Sequence, residues 1–192
     1  MTIKELKEKI KSLINEEPEI IFITKTGGHL FCDNCKDIDY RVVIKNELDK
    51  VVKFYNSETN EDYFIHSLDI YNSHLNFENS DYYNLFILDD LFKKDYCDFG
   101  DKTTNLKLLE NADKYKEMLK RVLPKSHLNP RIRWGGSDKY CNKRLWWTIM
   151  GLKFIDNNSY EITDEIREII QKCHDGLLEK SWEDWVKQKI GL

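Results

Sequence analysis

The chain has 192 residues, of which 41% are hydrophobic and 33% charged, with a formal net charge of −4. That is enough apolar material for one sizeable core or two small ones, and it excludes a polycation that holds nucleic acid by overall charge. No apolar run approaches the roughly 18 residues that span a bilayer, residues 1–17 carry no signal-peptide core, and the odd, scattered set of five cysteines does not make a disulfide framework, so the expectation is a soluble, cytoplasmic protein with no membrane partner.

Ile3, Leu6, Ile10, Leu13 and Ile14 recur at helical spacing, which predicts an amphipathic helix over residues 2–16, ended by Pro18. Residues 19–24 are a short β-branched and aromatic run and read as a buried strand. Thr26-Gly27-Gly28 breaks that strand, and residues 29–34 fit one or two helical turns. Residues 37–45 read as a second strand, with Ile38, Tyr40, Val42 and Ile44 on one face. Asp37, Asp39, Arg41 and Val43 then face the other way. Residues 51–55 and 63–67 flank a polar segment and read as a hairpin.

From Leu68 the texture turns helical. Helices are predicted at 68–78, 81–93, 104–122 and 138–155. A further helix over 164–175 has Thr163 as N-cap, Gly176 as C-cap, and a stripe of Ile166, Ile169, Ile170 and Cys173. The last, 182–189, is capped by Ser181 with Asp184 three residues on, and Trp182, Trp185 and Val186 give it a large apolar face. Residues 124–137, with Pro130 and Gly135-Gly136, read as a loop. The fold class is therefore α+β: a small mixed sheet with flanking helices over residues 1–95, then a helical C-terminal region over 96–192.

The chemistry concentrates at Thr26-Gly27-Gly28-His29 and at Asp37-Ile38-Asp39-Tyr40-Arg41. Asp37 and Asp39 leave a strand on the same face. Two such carboxylates repel unless a cation lies between them. Mg²⁺ takes oxygen ligands and leaves positions open for substrate phosphates, and a glycine turn brings backbone N–H groups up to those phosphates. The stretch reads as a site for a metal-bound nucleoside triphosphate.

The run TGGHLFCDNCKDIDYRVVI, residues 26–44, resembles the nucleotidyltransferase superfamily related to DNA polymerase β. It is most similar to the small bacterial and phage proteins predicted as nucleotidyltransferases, and weaker similarity extends over residues 64–88. The resemblance implies a transferase dependent on Mg²⁺ (or Mn²⁺) that passes a nucleoside monophosphate from an NTP to a hydroxyl acceptor. The acceptor is left open among an RNA end, a protein hydroxyl and a small molecule. It implies Asp37 and Asp39 as metal-binding catalytic residues, with a third carboxylate from a later strand. Asp62 fits best, because it would share a face with Phe64 and His66; Glu61 and Asp69 are the runners-up. Thr26, Gly27, Gly28, His29 and Arg41 are the implied nucleotide-binding residues. Gly28 stands where the family often has serine, which removes one hydroxyl contact to phosphate. The alternative is a catalytically inactive nucleotide-binding or interaction module of the same fold. A metal-free interaction protein built on the helical half is a third class.

Other features have plainer readings. Cys32 and Cys35 have no second cysteine pair to complete a zinc site, so they read as ordinary reduced cysteines. His29 either touches phosphate or caps the short helix, and His66 either contacts substrate or is a hydrogen-bonded strand histidine. Arg131, Arg133, Lys139, Lys143 and Arg144 are interleaved with Trp134, Tyr140, Trp146 and Trp147. That cluster suits phosphates and bases, or is a solvated loop leading into a helix whose Trp146 and Trp147 fill the core.

Overall fold

The structure is a computed structural model that describes residues 1–26, 38–78, 88, 99–100, 108–126, 143–175 and 177–192. It divides into two compact units. The first comprises Met1–Ser73 with Phe92–Thr104, and the second comprises His74–Leu91 with Asn105–Leu192.

In the first unit, helix α1 (Ile3–Ile14) precedes strands β1 (Ile20–Thr26), β2 (Ile38–Ile44), β3 (Val52–Asn56) and β4 (Glu61–Ser67). Helix α2 (Leu68–Leu75), whose last two residues are assigned to the second unit, and the short strand β5 (Phe99–Gly100) follow. The described strands form one mixed sheet in the order β3-β4-β2-β1-β5. Only β2 and β4 run parallel; the other neighbours are antiparallel. The class is α+β, as the sequence predicts.

Helix α1 begins at a capping box. The Thr2 hydroxyl accepts from the Glu5 N–H, and Glu5 reaches back to the Thr2 N–H at 2.7 Å. It ends differently from the expectation. Asn15 takes the left-handed conformation at φ 60° and donates its N–H to the Lys11 carbonyl. Asparagine tolerates that conformation, so the helix stops at Ile14, well before Pro18.

The apolar stripe of α1 lies on one sheet face. Leu6 and Ile10 pack with Ile23, Val42, Ile44, Tyr63 and Ile65. Tyr40, Tyr63 and Phe54 occupy one register row across β2, β4 and β3. Their rings stack at centroid distances of 4.9 Å and 4.7 Å, nearly parallel. Glu61 belongs to this face as well and is buried, its carboxylate accepting from the Tyr63 hydroxyl at 2.8 Å and from the Thr59 hydroxyl. Burial pushes that carboxyl up, and the two hydroxyl donors with the Met1 amino group outweigh burial and hold it below its ordinary value.

Strand β1 gains one residue against β2 between Ile20 and Phe22, so Ile21 is extra. Gly100 approaches that bulge with φ +76°, and a Cβ there would lie 1.9 Å from the Ile21 carbonyl oxygen. Only glycine fits.

In the second unit, α3 (Ala112–Ser126), α4 (Lys143–Asn157), α5 (Asp164–His174) and α6 (Ser181–Ile190) pack α4 against α5 and α6, and α3 against α6. Helix α4 is buried on every side from Leu145 through Leu152, as its apolar run Leu145-Trp146-Trp147 requires. Trp146 and Trp147 are core residues, stacked on one another at 4.7 Å. The stripe Ile166, Ile169, Ile170, Cys173 of α5 is buried, and Thr163 caps the helix by accepting from the Ile166 N–H.

Several boundaries differ from the sequence expectation. Helix α3 opens at Ala112, because residues 108–111 form a turn whose last carbonyl accepts from the Tyr115 N–H. It continues to Ser126, beyond the predicted end. Ser181 is the first residue of α6 and not its cap; Lys180 occupies the cap position, with no side-chain cap bond. Helix α6 turns Glu183, Val186 and Ile190 inward. Trp182 and Trp185 are half-buried beside them, with the Lys153 ammonium over both rings at 5.4 Å and 5.6 Å. The predicted turns at 29–34 lie outside the described residues, as does the predicted helix 81–93 apart from Leu88. Among the described residues no helix is long and apolar enough to cross a membrane.

Candidate functional site

The sheet face opposite α1 carries the polar side chains. Register fixes which of them are neighbours. Across β1, β2, β4 and β3, one row reads Thr26, Asp39, Asp62, Tyr55. The next reads Thr24, Arg41, Phe64, Lys53, and beyond it Phe22, Val43 and His66 align. Residues two apart on a strand share a face, so these rows form one surface.

Asp39 and Asp62 are therefore direct neighbours on parallel strands. In a parallel pair, side chains in register leave the sheet side by side, one strand spacing of about 4.8 Å apart at the backbone. Both residues are half-buried. Asp62 receives the Lys53 ammonium at 3.1 Å. Lys53 also lies 4.8 Å from the centre of the Phe64 ring. Among the described residues, the polar end of the sheet thus presents two carboxylates, the Lys53 ammonium and the Arg41 guanidinium in the adjoining row.

Thr26 and Arg41 flank the carboxylates and are buried, each 2% exposed. Asp62, Phe64 and His66 share the face that the hairpin alternation predicts, and His66 is buried. The two runners-up for the third carboxylate are elsewhere. Glu61 belongs to the opposite face, bound to Tyr63 and Thr59. Asp69 sits in the first turn of α2, because β4 ends at Ser67. Asp37, Gly27, Gly28 and His29 lie outside the described residues, as do Cys32, Cys35, Arg131, Arg133, Trp134, Lys139 and Tyr140. Among the described residues, no three His, Cys, Asp or Glu side chains gather as a metal site.

Lys53 is the feature that sequence reasoning missed. The signal was the hairpin alternation itself: Lys53 and Tyr55 are the polar-face residues of β3, and pairing residue 53 with residue 64 brings the ammonium beside Asp62. Compared with family models, curated proteins and solved structures, the chain has no match.

Proposed function

We propose that the chain is a Mg²⁺-dependent nucleotidyltransferase, with Mn²⁺ able to replace Mg²⁺, that moves a nucleoside monophosphate from an NTP to a hydroxyl acceptor. The observation that carries this reading is the in-register placement of Asp39 beside Asp62 on parallel strands, in the row that Thr26 begins. The donor chemistry fits a divalent ion: two half-buried carboxylates on one face, one of which already draws an ammonium. In this reading Asp37, Asp39 and Asp62 hold the metal. Bound metal supplies charge neutralisation at the triphosphate and polarises the α-phosphate.

The remaining work belongs to the chain. Gly27, Gly28 and His29 cradle the β- and γ-phosphates, with Thr26 and Arg41 beside them. The acceptor oxygen forms a bond to the α-phosphorus while the bond to the bridging oxygen breaks and pyrophosphate leaves. The hydroxyl proton passes to a carboxylate, for which Asp62 is the candidate. Positioning and charge stabilisation account for most of the rate.

A thermal-shift panel tests the site. It uses ATP, GTP, CTP and UTP, each with and without Mg²⁺, on the wild type and on the double variant Asp37→Asn, Asp39→Asn. A ligand that binds only the folded chain raises Tm by mass action. The expected result is a Mg²⁺-dependent rise lost in the variant. No rise with any nucleotide overturns the reading.

The Lys53–Asp62 ion pair also favours a second reading, a nucleotide-binding module without catalysis in which Asp62 stays structurally paired. Nucleotide binding without transfer of label from an α-labelled NTP to any acceptor class supports it.

A further inference from the structure

Lys53 stands on the edge strand β3, and its side chain lies on the face that carries Asp39, Arg41, Asp62 and Phe64. Its ammonium is held from two sides, by the Asp62 carboxylate at 3.1 Å and by the Phe64 ring at 4.8 Å. The side chain is 46% exposed, against 19% for Asp62. It is therefore free to leave toward solvent, whereas Asp62 is fixed by its strand.

We propose that Lys53 is a displaceable counter-ion. It pairs with Asp62 when no divalent ion is bound, and it yields Asp62 when a metal–nucleotide complex arrives. Its freed ammonium then serves the triphosphate. The inference rests on the nucleotidyltransferase reading above, because it takes Asp62 as a metal ligand.

The argument is one of competition. Lys53 occupies one oxygen of Asp62, and a divalent ion on the same carboxylate is repelled by the ammonium beside it and shares its negative charge. Metal alone therefore binds against the pair, and the ammonium it expels finds only water. Metal arriving with a triphosphate brings four further negative charges at hand, and the expelled ammonium gains a new partner. The two ligands thus bind cooperatively, each improving the affinity of the other by the same factor. Lysine suits this role better than arginine. It is a compact charge on a flexible stem, and it does not lock a carboxylate through a planar two-pronged contact.

Mn²⁺ binding by calorimetry on the whole chain, with no nucleotide present, tests the proposal. Wild type is compared with Lys53→Met, Lys53→Arg and Asp62→Asn. The exposed position of Lys53 leaves folding intact, which a thermal melt of each variant checks. Lys53→Met is expected to bind Mn²⁺ about threefold more tightly than wild type, the scale of a half-exposed ion pair. Lys53→Arg is expected to bind it no more tightly than wild type, and Asp62→Asn more weakly. Adding a non-hydrolysable NTP analogue is expected to improve Mn²⁺ affinity in the wild type and to do so less in Lys53→Met. Phe64→Leu, which removes the ring beneath the ammonium, is expected to shift Mn²⁺ affinity in the direction of Lys53→Met. Equal Mn²⁺ affinity in wild type and Lys53→Met, with Asp62→Asn weakened, overturns the role of Lys53 and leaves the transferase reading standing. No Mn²⁺ binding by any of the five proteins, with or without the analogue, overturns both.

Discussion

The two faces of the sheet use the same strands for opposite purposes. Toward α1, the strands present Ile23, Val42, Ile44, Tyr63 and Ile65, which close a dry core with Leu6 and Ile10. Away from α1, they present Thr24, Thr26, Asp39, Arg41, Asp62 and His66. The division runs between adjacent residues of one strand. Glu61 and Asp62 are consecutive acids, yet Glu61 is buried against two hydroxyl donors and the Met1 amino group, while Asp62 is half-buried and meets Lys53 at 3.1 Å. The comparison teaches that strand alternation separates the apolar core from the proposed site within a distance of one residue. A substitution in the first face's core should then cost stability, and one at the half-buried Asp39 or Asp62 should cost binding if the proposed function holds.

The largest expected effect on stability tests the first half. Ile65 is fully buried in the α1 cluster. Ile65→Ala is expected to cost about 3 kcal/mol, from lost transfer energy and the cavity left behind. Urea denaturation measures it, and a loss below about 1 kcal/mol would show that this face is not the packed core of the first unit.

A smaller effect probes the boundary between the faces. Glu61→Gln is expected to cost about 1 kcal/mol at neutral pH, since it weakens two buried hydrogen bonds to a charged acceptor. The sign of the pH dependence follows from a lowered folded-state pKa. The stabilisation by Glu61 is present above the ordinary carboxyl value of 4.5 and is lost as pH falls through the lower folded value. Chemical denaturation of both proteins across pH 3 to 7, roughly the carboxylate titration range, should show the gap between them closing toward acid. A gap independent of pH would mean that the charge of Glu61 contributes nothing.

The smallest stability effect sharpens the contrast most. Asp39→Asn is expected to change unfolding free energy by no more than about 0.5 kcal/mol. If the proposed function holds, the same variant is expected to lower nucleotidyl transfer by at least about a hundredfold, because one carboxylate of the proposed metal site is lost. Parallel denaturation and transfer assays read both quantities from one preparation. A large stability loss with retained binding would invert the proposed division of the sheet.

Much of this arrangement was legible in the sequence, for definite physical reasons. Alternation on β2 sorted Ile38, Tyr40, Val42 and Ile44 from Asp39, Arg41 and Val43, because the pleat leaves no other choice. The hairpin reading placed Asp62, Phe64 and His66 together, and register bears it out. Thr163 was readable as a cap because its hydroxyl has a local use. The misreadings arose where two local signals competed. Pro18 is a strong helix breaker, but Asn15 reaches the left-handed conformation first. Ser181 resembles a cap, yet the helix begins one residue earlier than that requires. Of the apolar face Trp182, Trp185 and Val186, Val186 is buried with Glu183 and Ile190, whereas the two indoles are half-buried and lie against the Lys153 ammonium. Lys53 escaped notice because its partner lies on another strand, and only register reveals it.

The parallel pairing of β2 with β4 has a kinetic consequence. Strands β3 and β4 are joined by the four residues 57–60, so their hairpin has short-range contacts and closes on a microsecond scale, about 1–10 μs for such an element. The β2–β4 seam joins residues more than twenty positions apart, Asp39 to Asp62 among them, and must pay a larger loop-closure entropy before it gains anything. The seam is therefore a late event in the folding of the sheet. A slip of one residue as it closes would carry Asp62 to the buried face and Glu61 to the open one. Burial of Ile65 and Tyr63 forbids that slip, so the hydrophobic residues of β4 act as proofreaders for the position of a carboxylate on the other face of the sheet.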